Sequence, residues 1–242
     1  MLVFRWICAA VLSVSLLGPR LMADAATAHP SGIEGIDYRG TGCPEGSVAA
    51  NLAPDAQTMT LIFSAFAVDT STRSGRPMRK VCVINIAMGT EPGWQFTLFG
   101  VNVRGYANIQ SGAVGVQQVL HSFGQGSGQA IGRQQLIGPF DNNFSSYSEL
   151  PLAAAEWSPC DSGRHRRFHL RTSITVRPRL GFRDSDGEQD DGGKGPNFPY
   201  GYMTIDSIDG GMVQQYQVGW RRCTVVRNGS RCNRCSVCRI WC

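Results

Sequence analysis

The sequence predicts an all-β fold, namely a single antiparallel β-sandwich or barrel-like domain that is stabilised by disulfides and has short helix content. Very little of the chain has helical periodicity, and short alternating or β-branched segments recur at fairly even spacing between clusters of Gly, Pro, Asn and Asp. Glycine is abundant, at 29 of 242 residues, and charged residues are sparse, at 17%. This composition is typical of an extracellular β protein.

Residues 1–28 precede the fold and have the layout of a secretory signal peptide. Arg5 supplies positive charge, and an apolar segment of thirteen residues then ends at Gly18. Small residues follow and allow cleavage after Ala25 or after Ala28. Because a spanning helix needs about 20 apolar residues, we expect a secreted, extracellular protein with no membrane segment after cleavage.

The remaining chain has the length of one large β domain. We expect a flexible N-terminal segment at 29–40, a sandwich domain at 41–223 and an Arg- and Cys-rich tail at 224–242.

Four strands are predicted in the first half of the domain, each bounded by turn residues: 46–52, 58–63, 80–88 and 95–109. Alternation in the second of these, TMTLIF, places Met59, Leu61 and Phe63 on one face. The fourth segment is the longest, and we expect it to bend at Gly100 or Gly105.

Six further strands are predicted in the second half, at 113–123, 134–140, 144–150, 166–178, 201–208 and 212–220. The most regular alternation lies in HLRTSITVR, which places four residues on one side: Leu170, Thr172, Ile174 and Val176. The opposite side carries Arg and Ser/Thr residues. This alternation predicts a strand with one buried face.

An acidic, glycine-rich insertion occupies 183–199, with five acids, four glycines and two prolines. It cannot bury apolar surface, so we expect a mobile loop between two strands. Its alternate acids are oxygen ligands of the kind that Ca²⁺ prefers: Asp184, Asp186, Glu188 and Asp190. Gly187 is not at the sixth position, where an EF-hand loop turns, and the closing glutamate is absent, so a solvated acidic loop is the preferred interpretation.

The positive charge of the chain is concentrated at its C-terminal end. From Arg221 onward there are six arginines and no acid, whereas the region between the signal peptide and Arg221 has 15 basic and 17 acidic residues. The formal net charge of +5 therefore predicts no basic face for nucleic acid, and we expect no nucleic-acid partner.

Seven short motifs occur in an order that resembles a known family: GTGCPEGSV, RKVC, RGYANIQSG, GPFDNNF, WSPC, TIDSIDG and WRRC. The sequence is similar to the secreted proteins, mostly fungal and actinobacterial, grouped as domain of unknown function 4360. The resemblance extends from Thr41 to Cys223 and implies a secreted, β-rich domain but no particular activity. The acidic insertion and the Cys-rich tail depart from the family pattern.

The resemblance also implies four core cysteines, which here are Cys43, Cys82, Cys160 and Cys223. Nine cysteines are present, and removal of Cys8 with the signal peptide leaves an even number, as expected of a disulfide framework in a secreted chain. Three pairings of the core cysteines are open. We prefer Cys43–Cys82 with Cys160–Cys223, because each bond ties together strand ends in the same half of the chain.

The tail carries four further cysteines: Cys232, Cys235, Cys238 and Cys242. Their spacing matches a bacterial-type iron–sulfur sequence, and a zinc site is a second alternative. Export to an oxidising compartment favours disulfides instead. We therefore expect eight disulfide-bonded cysteines and neither a metal site nor a cofactor.

Other motifs offer weak support for chemistry. His165 and His169 share one face of a predicted strand, but surface histidines beside arginines are the simpler interpretation. Asp206 and Asp209 suggest a carboxylate pair for glycoside hydrolysis, although IDGG is also typical of a hairpin turn. His121 has no acid at a recognisable spacing. No Gly-x-Ser-x-Gly, phosphate-binding loop or His-Glu-x-x-His occurs, so we expect no catalytic residues.

Ten aromatic residues lie mostly on predicted strands, where core packing explains most of them: Trp94, Tyr106, Phe140, Phe144, Tyr147, Trp157, Tyr200, Tyr202, Tyr216 and Trp220. A row of them on an exposed sheet face could instead stack on sugars. Asn143 and Asn228 lie in glycosylation sequons.

These observations lead to two hypotheses of function. The first is a non-catalytic extracellular or cell-surface protein that binds a cell-wall glycan or another extracellular protein through a sheet face. The alternative is a glycan-active hydrolase that uses Asp206 or Asp209.

Overall fold

A computed structural model of the chain describes residues 32–71, 77–124, 128–160, 165–179, 199–205 and 213–223. It contains twelve strands: β1 (Ile33–Arg39), β2 (Val48–Leu52), β3 (Thr58–Phe63), β4 (Ala67–Asp69), β5 (Met78–Gly89), β6 (Trp94–Ile109), β7 (Ala113–Ser122), β8 (Gln129–Ile137), β9 (Phe140–Glu149), β10 (His165–Pro178), β11 (Gly201–Thr204) and β12 (Val213–Arg222). None of the described residues is in an α-helix, so the short helix content expected from the sequence is absent from them. In the same ranges, no helix is long and apolar enough to cross a membrane.

The strands form two antiparallel sheets. One has five strands in the order β1-β5-β10-β7-β8. The other has seven, in the order β2-β3-β12-β6-β11-β4, with β9 paired to β6. The sixteen residues of β6 accommodate β12 and then β11 along one edge, while β9 follows the other edge. The two sheets pack face to face, which confirms the predicted sandwich.

The core lies between the two sheets and follows the alternation of each strand. Met59, Leu61 and Phe63 are all fully buried, as the period of two in β3 predicted. The inward side of β10 is likewise buried along its length at Phe168, Leu170, Thr172, Ile174 and Val176. A register shift between β6 and β12 falls beside Gly100, one of the two glycines expected to bend the long strand.

The segment at 29–40 is not simply flexible, because it contains β1. This strand pairs with residues 83–88 of β5 at the edge of the five-stranded sheet. Ile36 and Tyr38 pack against the core, and this single apolar side is enough for an edge strand. The expectation was wrong because charged and glycine residues obscure the alternation in IEGIDYR.

Two further boundaries differ from the sequence prediction. The three-residue strand β4 was missed because it is too short to show a period. β8 begins at Gln129 and β9 at Phe140, both earlier than expected. The turn at Gly138 and Pro139 carries the chain from the five-stranded sheet to the other sheet.

Two disulfides join Cys43 to Cys82 and Cys160 to Cys223, which is the preferred one of the three open pairings. The first is buried, with both sulfurs in the core. The second anchors the end of β12 to the segment that follows β9.

Polar side chains also cross the core. Gln214 of β12 donates a hydrogen bond to Thr172 of β10 at 2.8 Å, and Tyr216 donates to Gln214 at 2.6 Å. This network connects the two sheets. Burial raises the pKa of the Tyr216 hydroxyl, so the group remains a donor.

His121 is buried at the end of β7, edge-on to the ring of Phe123. Neither ring nitrogen makes a hydrogen bond of normal geometry within the described part of the chain. Burial lowers the pKa of His121, and the nearby Glu156 carboxylate and Gln129 amide oppose this shift only in part. The folded protein therefore holds a neutral imidazole.

This burial predicts a loss of stability in mild acid. The pKa of His121 is lower in the folded chain than its unfolded value of about 6.5. The unfolded chain therefore takes up a proton at this residue at a higher pH than the folded chain does. As the pH falls through and below about 6.5, this proton uptake favours unfolding, whereas above that pH the stability is unaffected by it. We expect the free energy of unfolding, measured with urea, to fall more between pH 7.5 and pH 5.5 in the wild type than in His121→Leu. Equal falls in the two proteins would contradict this assignment.

Candidate functional site

The predicted aromatic residues divide between the core and the surface. Phe144 and Tyr216 are buried. Trp94 and Trp157 are half-buried beneath the guanidinium groups of Arg222 and Arg221. Phe140 and Trp220 are partly buried and pack against the core, whereas the remaining four of the ten lie outside it: Tyr106, Tyr147, Tyr200 and Tyr202.

Three of these tyrosines line one open cleft of about 300 Å³ on the outer face of the seven-stranded sheet. We call it the tyrosine cleft and define it by its lining residues: Asp69, Ser71, Tyr106, Asn108, Tyr200 and Tyr202. The rings of Tyr106 and Tyr202 are 6.2 Å apart, with 49° between their planes. The cleft therefore offers two inclined aromatic surfaces side by side.

The sheet register builds this arrangement. Tyr202 of β11 pairs with Asp69 of β4 on one side and with Asn108 of β6 on the other, and Asn108 pairs with Asp141 of β9. One row across four strands thus presents carboxylate, phenol, amide and carboxylate. Tyr106 lies in the adjacent row, since it is two residues before Asn108.

Hydrogen bonds fix the carboxylates at both ends of this row. The Tyr106 hydroxyl donates to Asp141 Oδ1 at 2.5 Å, and this bond is the main cause of the raised pKa of Tyr106. Asp69 Oδ1 accepts from the Ser71 amide at 2.8 Å. Each carboxylate therefore keeps a second oxygen for a ligand.

The edge of the cleft is held by backbone contacts. Thr70 and Gly201 exchange hydrogen bonds through the Thr70 hydroxyl and both backbones. The Tyr200 amide donates to the Gln110 side chain at 3.2 Å, and the Gln110 amide donates to the Tyr200 carbonyl. These contacts position Tyr200 beside Tyr202 although it precedes the strand.

The polar surface continues along β9. Tyr147 is 54% exposed, and its hydroxyl donates to Glu149 at 2.7 Å, which raises the pKa of Tyr147. Asn143 is exposed and pairs with Tyr106 in the sheet register. A glycan attached at the Asn143 sequon would therefore lie beside the tyrosine cleft.

Of the two histidines predicted to share a face of β10, the structure describes the side chain of His169 alone. His169 faces outward, and its Nδ1 lies 2.5 Å from Asn85 Oδ1, while Asn85 Nδ2 donates to Asp37. The side chain of His165 lies outside the described part. No cluster of three or more His, Cys, Asp or Glu side chains that could hold a metal occurs within the described residues.

Several predicted sites fall outside the described residues. They are the signal peptide, most of the acidic insertion and its calcium candidates, Asp206, Asp209, Asn228 and the four tail cysteines Cys232, Cys235, Cys238 and Cys242.

The sequence did not single out Asp69, Ser71, Asn108 or Asp141. A partial signal exists in RGYAN, because alternation places Tyr106 and Asn108 on the same face of β6. Asp69 and Asp141 carry no such signal, since only the pairing of distant strands brings them to this row.

The two sheets, the disulfides and the cleft define the chain as a disulfide-stabilised β-sandwich with an open polar cleft on one outer face. The chain belongs to the family described as Domain of unknown function (DUF4360), whose model matches residues 30–223. This match begins before Thr41 and includes β1. It confirms the family that the sequence motifs indicated.

A relative from Arthroderma benhamiae is 31% identical over 193 residues, which cover 79% of this chain and 71% of the relative. It is described as an uncharacterized secreted protein. The chain is accordingly a secreted member of its family, as the leader predicted.

Similarity to solved structures is low. A complex of TmCBM61 with β-1,4-galactotriose has a TM-score of 0.25 and 9% identity, covering 77% of this chain and 90% of that one. The enzymatically active domain of bacteriophage CBA120 tailspike protein 4 has a TM-score of 0.19 and 10% identity, covering 78% of this chain and 19% of that one.

Proposed function

We propose that this secreted protein is a non-catalytic binding protein that holds a cell-wall glycan in the tyrosine cleft. The observation that carries the proposal is the row Asp69, Tyr202, Asn108 and Asp141, with Tyr106 adjacent to it. A sugar ring has an apolar C–H face and a rim of hydroxyl groups. The row matches both, because phenol rings stack on the face while carboxylate and amide groups bond the rim.

The shape of the cleft supports a polymer rather than an enclosed small molecule. The cleft is open, and polar side chains continue from it onto the neighbouring part of β9 at Asp141 and Asn143. A chain of sugars could extend in this direction beyond the two or so rings that the tyrosines cover.

The charge of the cleft favours neutral or amino sugars over acidic ones. Asp69 lines it and Asp141 lies at the end of its row, while none of the described lining residues is a cation. A uronic acid or a sulfated sugar would bring like charges together, whereas an ammonium group would pair with these carboxylates.

Binding by the full-length chain can be measured by calorimetry with oligosaccharides of chitin, chitosan and β-1,3-glucan. Asn143→Gln serves as the background, so that no attached glycan obstructs the cleft. Stacking on one aromatic ring contributes about 1–3 kcal/mol in nucleic-acid complexes, so we expect Tyr202→Ala to weaken binding of one of these probes by about tenfold or more.

Tyr147→Ala is the matched control, because Tyr147 lies on the same sheet face but outside the cleft. We expect this control to change affinity less than about twofold, which is under 0.5 kcal/mol. Absence of binding to all three probes, or an equal loss in both variants, would refute the proposed site.

A further inference from the structure

The outer face of the five-stranded sheet carries a concentration of arginines that the near-neutral composition conceals. We call it the arginine face, and its members lie at outward positions of β1, β5, β8 and β10: Arg39, Arg79, Arg133, Arg167, Arg171 and Arg177. All except Arg177, which is half-buried, are exposed. The net charge of the region before the tail does not reveal this face, because most of the described acids lie on other parts of the molecule.

Acidic side chains are scarce on the same face. Asp37 is the one acid among the described strand residues whose side chains point outward on this sheet. It already accepts a hydrogen bond from Asn85. Glu34 lies at the bulge of β1 beside Gly89, at the edge of the sheet. Among the residues that the structure describes, few acids therefore offset the positive charge of the arginine face.

Two of the arginines flank a cleft of about 450 Å³. Arg39 and Arg171 both pair with Val83, from opposite sides, so their Cα atoms are separated by two interstrand spacings, or about 10 Å. The next row contains Asn85, His169 and Ser122, which also line the cleft. Val83 thus lies at the base of the cleft, between Arg39 and Arg171.

Hydrogen bonds fix the orientation of the His169 imidazole in this cleft. If Asn85 Nδ2 donates to Asp37, then Asn85 Oδ1 is the acceptor and His169 Nδ1 is the donor. The remaining nitrogen, Nε2, is left for a ligand. This orientation adds a polar contact to the two arginines.

We propose that the arginine face binds an anionic polysaccharide, with one carboxylate or sulfate group held between Arg39 and Arg171. Guanidinium forks pair bidentately with such groups. The arginines are spread over strands from β1 to β8, which spans four interstrand spacings or about 19 Å. This extent fits a polymer with repeated charges better than a single small ion.

A polysaccharide is favoured over nucleic acid because the chain is secreted and because no Phe, Tyr or Trp side chain lines the described part of this cleft for base stacking. The site is independent of the tyrosine cleft, since the two lie on opposite outer faces of the sandwich. If the arginine face proved not to bind an anionic polysaccharide, the function proposed for the tyrosine cleft would not be affected.

The test measures binding of the full-length chain to dextran sulfate and to polygalacturonate, with uncharged dextran and a DNA duplex as comparisons. We expect Arg39→Gln and Arg171→Gln each to weaken binding of a charged polysaccharide by about fivefold, with a smaller dependence on salt than in the wild type. Arg104→Gln is the matched control, because it removes one exposed charge from the other sheet. We expect it to change affinity less than about twofold, as a distant charge is largely screened.

Preference for dextran sulfate would assign sulfate as the bound group, and preference for polygalacturonate would assign carboxylate. The proposal is overturned if neither polymer binds, if uncharged dextran binds equally, or if Arg104→Gln matches the loss in Arg171→Gln. Tighter binding of the DNA duplex through Arg39 and Arg171 would assign the face to nucleic acid instead. An unchanged thermal midpoint in each variant verifies that the fold is intact.

Discussion

Replacement of both Cys43 and Cys82 by alanine is expected to lower the free energy of unfolding by about 4 kcal/mol. The disulfide closes a loop of 39 residues, and the chain-entropy relation gives this value for such a loop. For a domain of this size, the thermal midpoint should fall by about 8–16 °C. Urea and thermal unfolding under non-reducing conditions measure both quantities.

The variant Cys160→Ala/Cys223→Ala provides the comparison. Its loop of 63 residues predicts a similar entropic loss of about 4 kcal/mol. Cys160 is exposed, whereas Cys43 and Cys82 are buried, so any excess loss in the first variant reports packing in the core. A loss below about 1 kcal/mol in the first variant would show that this bond contributes little to stability.

Truncation of Phe96 to alanine is expected to cost about 3–5 kcal/mol. Phe96 of β6 is fully buried, and its ring centroid lies within 5.5 Å of those of Phe123, Phe168 and Trp220. These neighbours come from both sheets and from the end of β7, so the truncation removes contacts with both layers of the sandwich. Urea denaturation at neutral pH measures the loss.

Ile62→Ala is the control for this truncation. Ile62 lies on β3 and is 40% exposed, so its removal leaves no enclosed cavity and should cost less than about 1 kcal/mol. Equal losses at Phe96 and Ile62 would contradict the placement of Phe96 in the core between the two sheets.

The inward faces of the strands could be predicted from the sequence, because burial of one face of a strand makes every second residue apolar. Met59, Leu61 and Phe63 show this period locally, and so do Leu170, Ile174 and Val176. The edge strand β1 shows it poorly, since only one side of one short strand has to be apolar. β4 is too short to show it at all.

The candidate sites could not be predicted in the same way, because each depends on pairing between distant strands. Asp69 and Asp141 are brought to one row only by the order β4-β11-β6-β9. Arg39 and Arg171 become neighbours across Val83 only in the register of β1, β5 and β10. Composition conveys the total charge but not its division between the two outer faces.

Both proposed binding sites depend on that division. One face offers tyrosines and carboxylates, and the other offers arginines. Since the two sheets pack face to face, their outer surfaces point in opposite directions, and ligands on these surfaces would not compete. A single secreted domain could therefore connect a neutral or amino-sugar polymer to an acidic one.

The most direct test of the tyrosine cleft is an amide NMR titration of the full-length Asn143→Gln chain with chitin, chitosan and β-1,3-glucan oligosaccharides. We predict that one of these ligands shifts the amide signals of Asp69, Asn108 and Tyr202, while those of Val83 and Arg171 stay in place. Shifts confined to the five-stranded sheet, or no shifts with any of the three at millimolar concentration, would contradict the account.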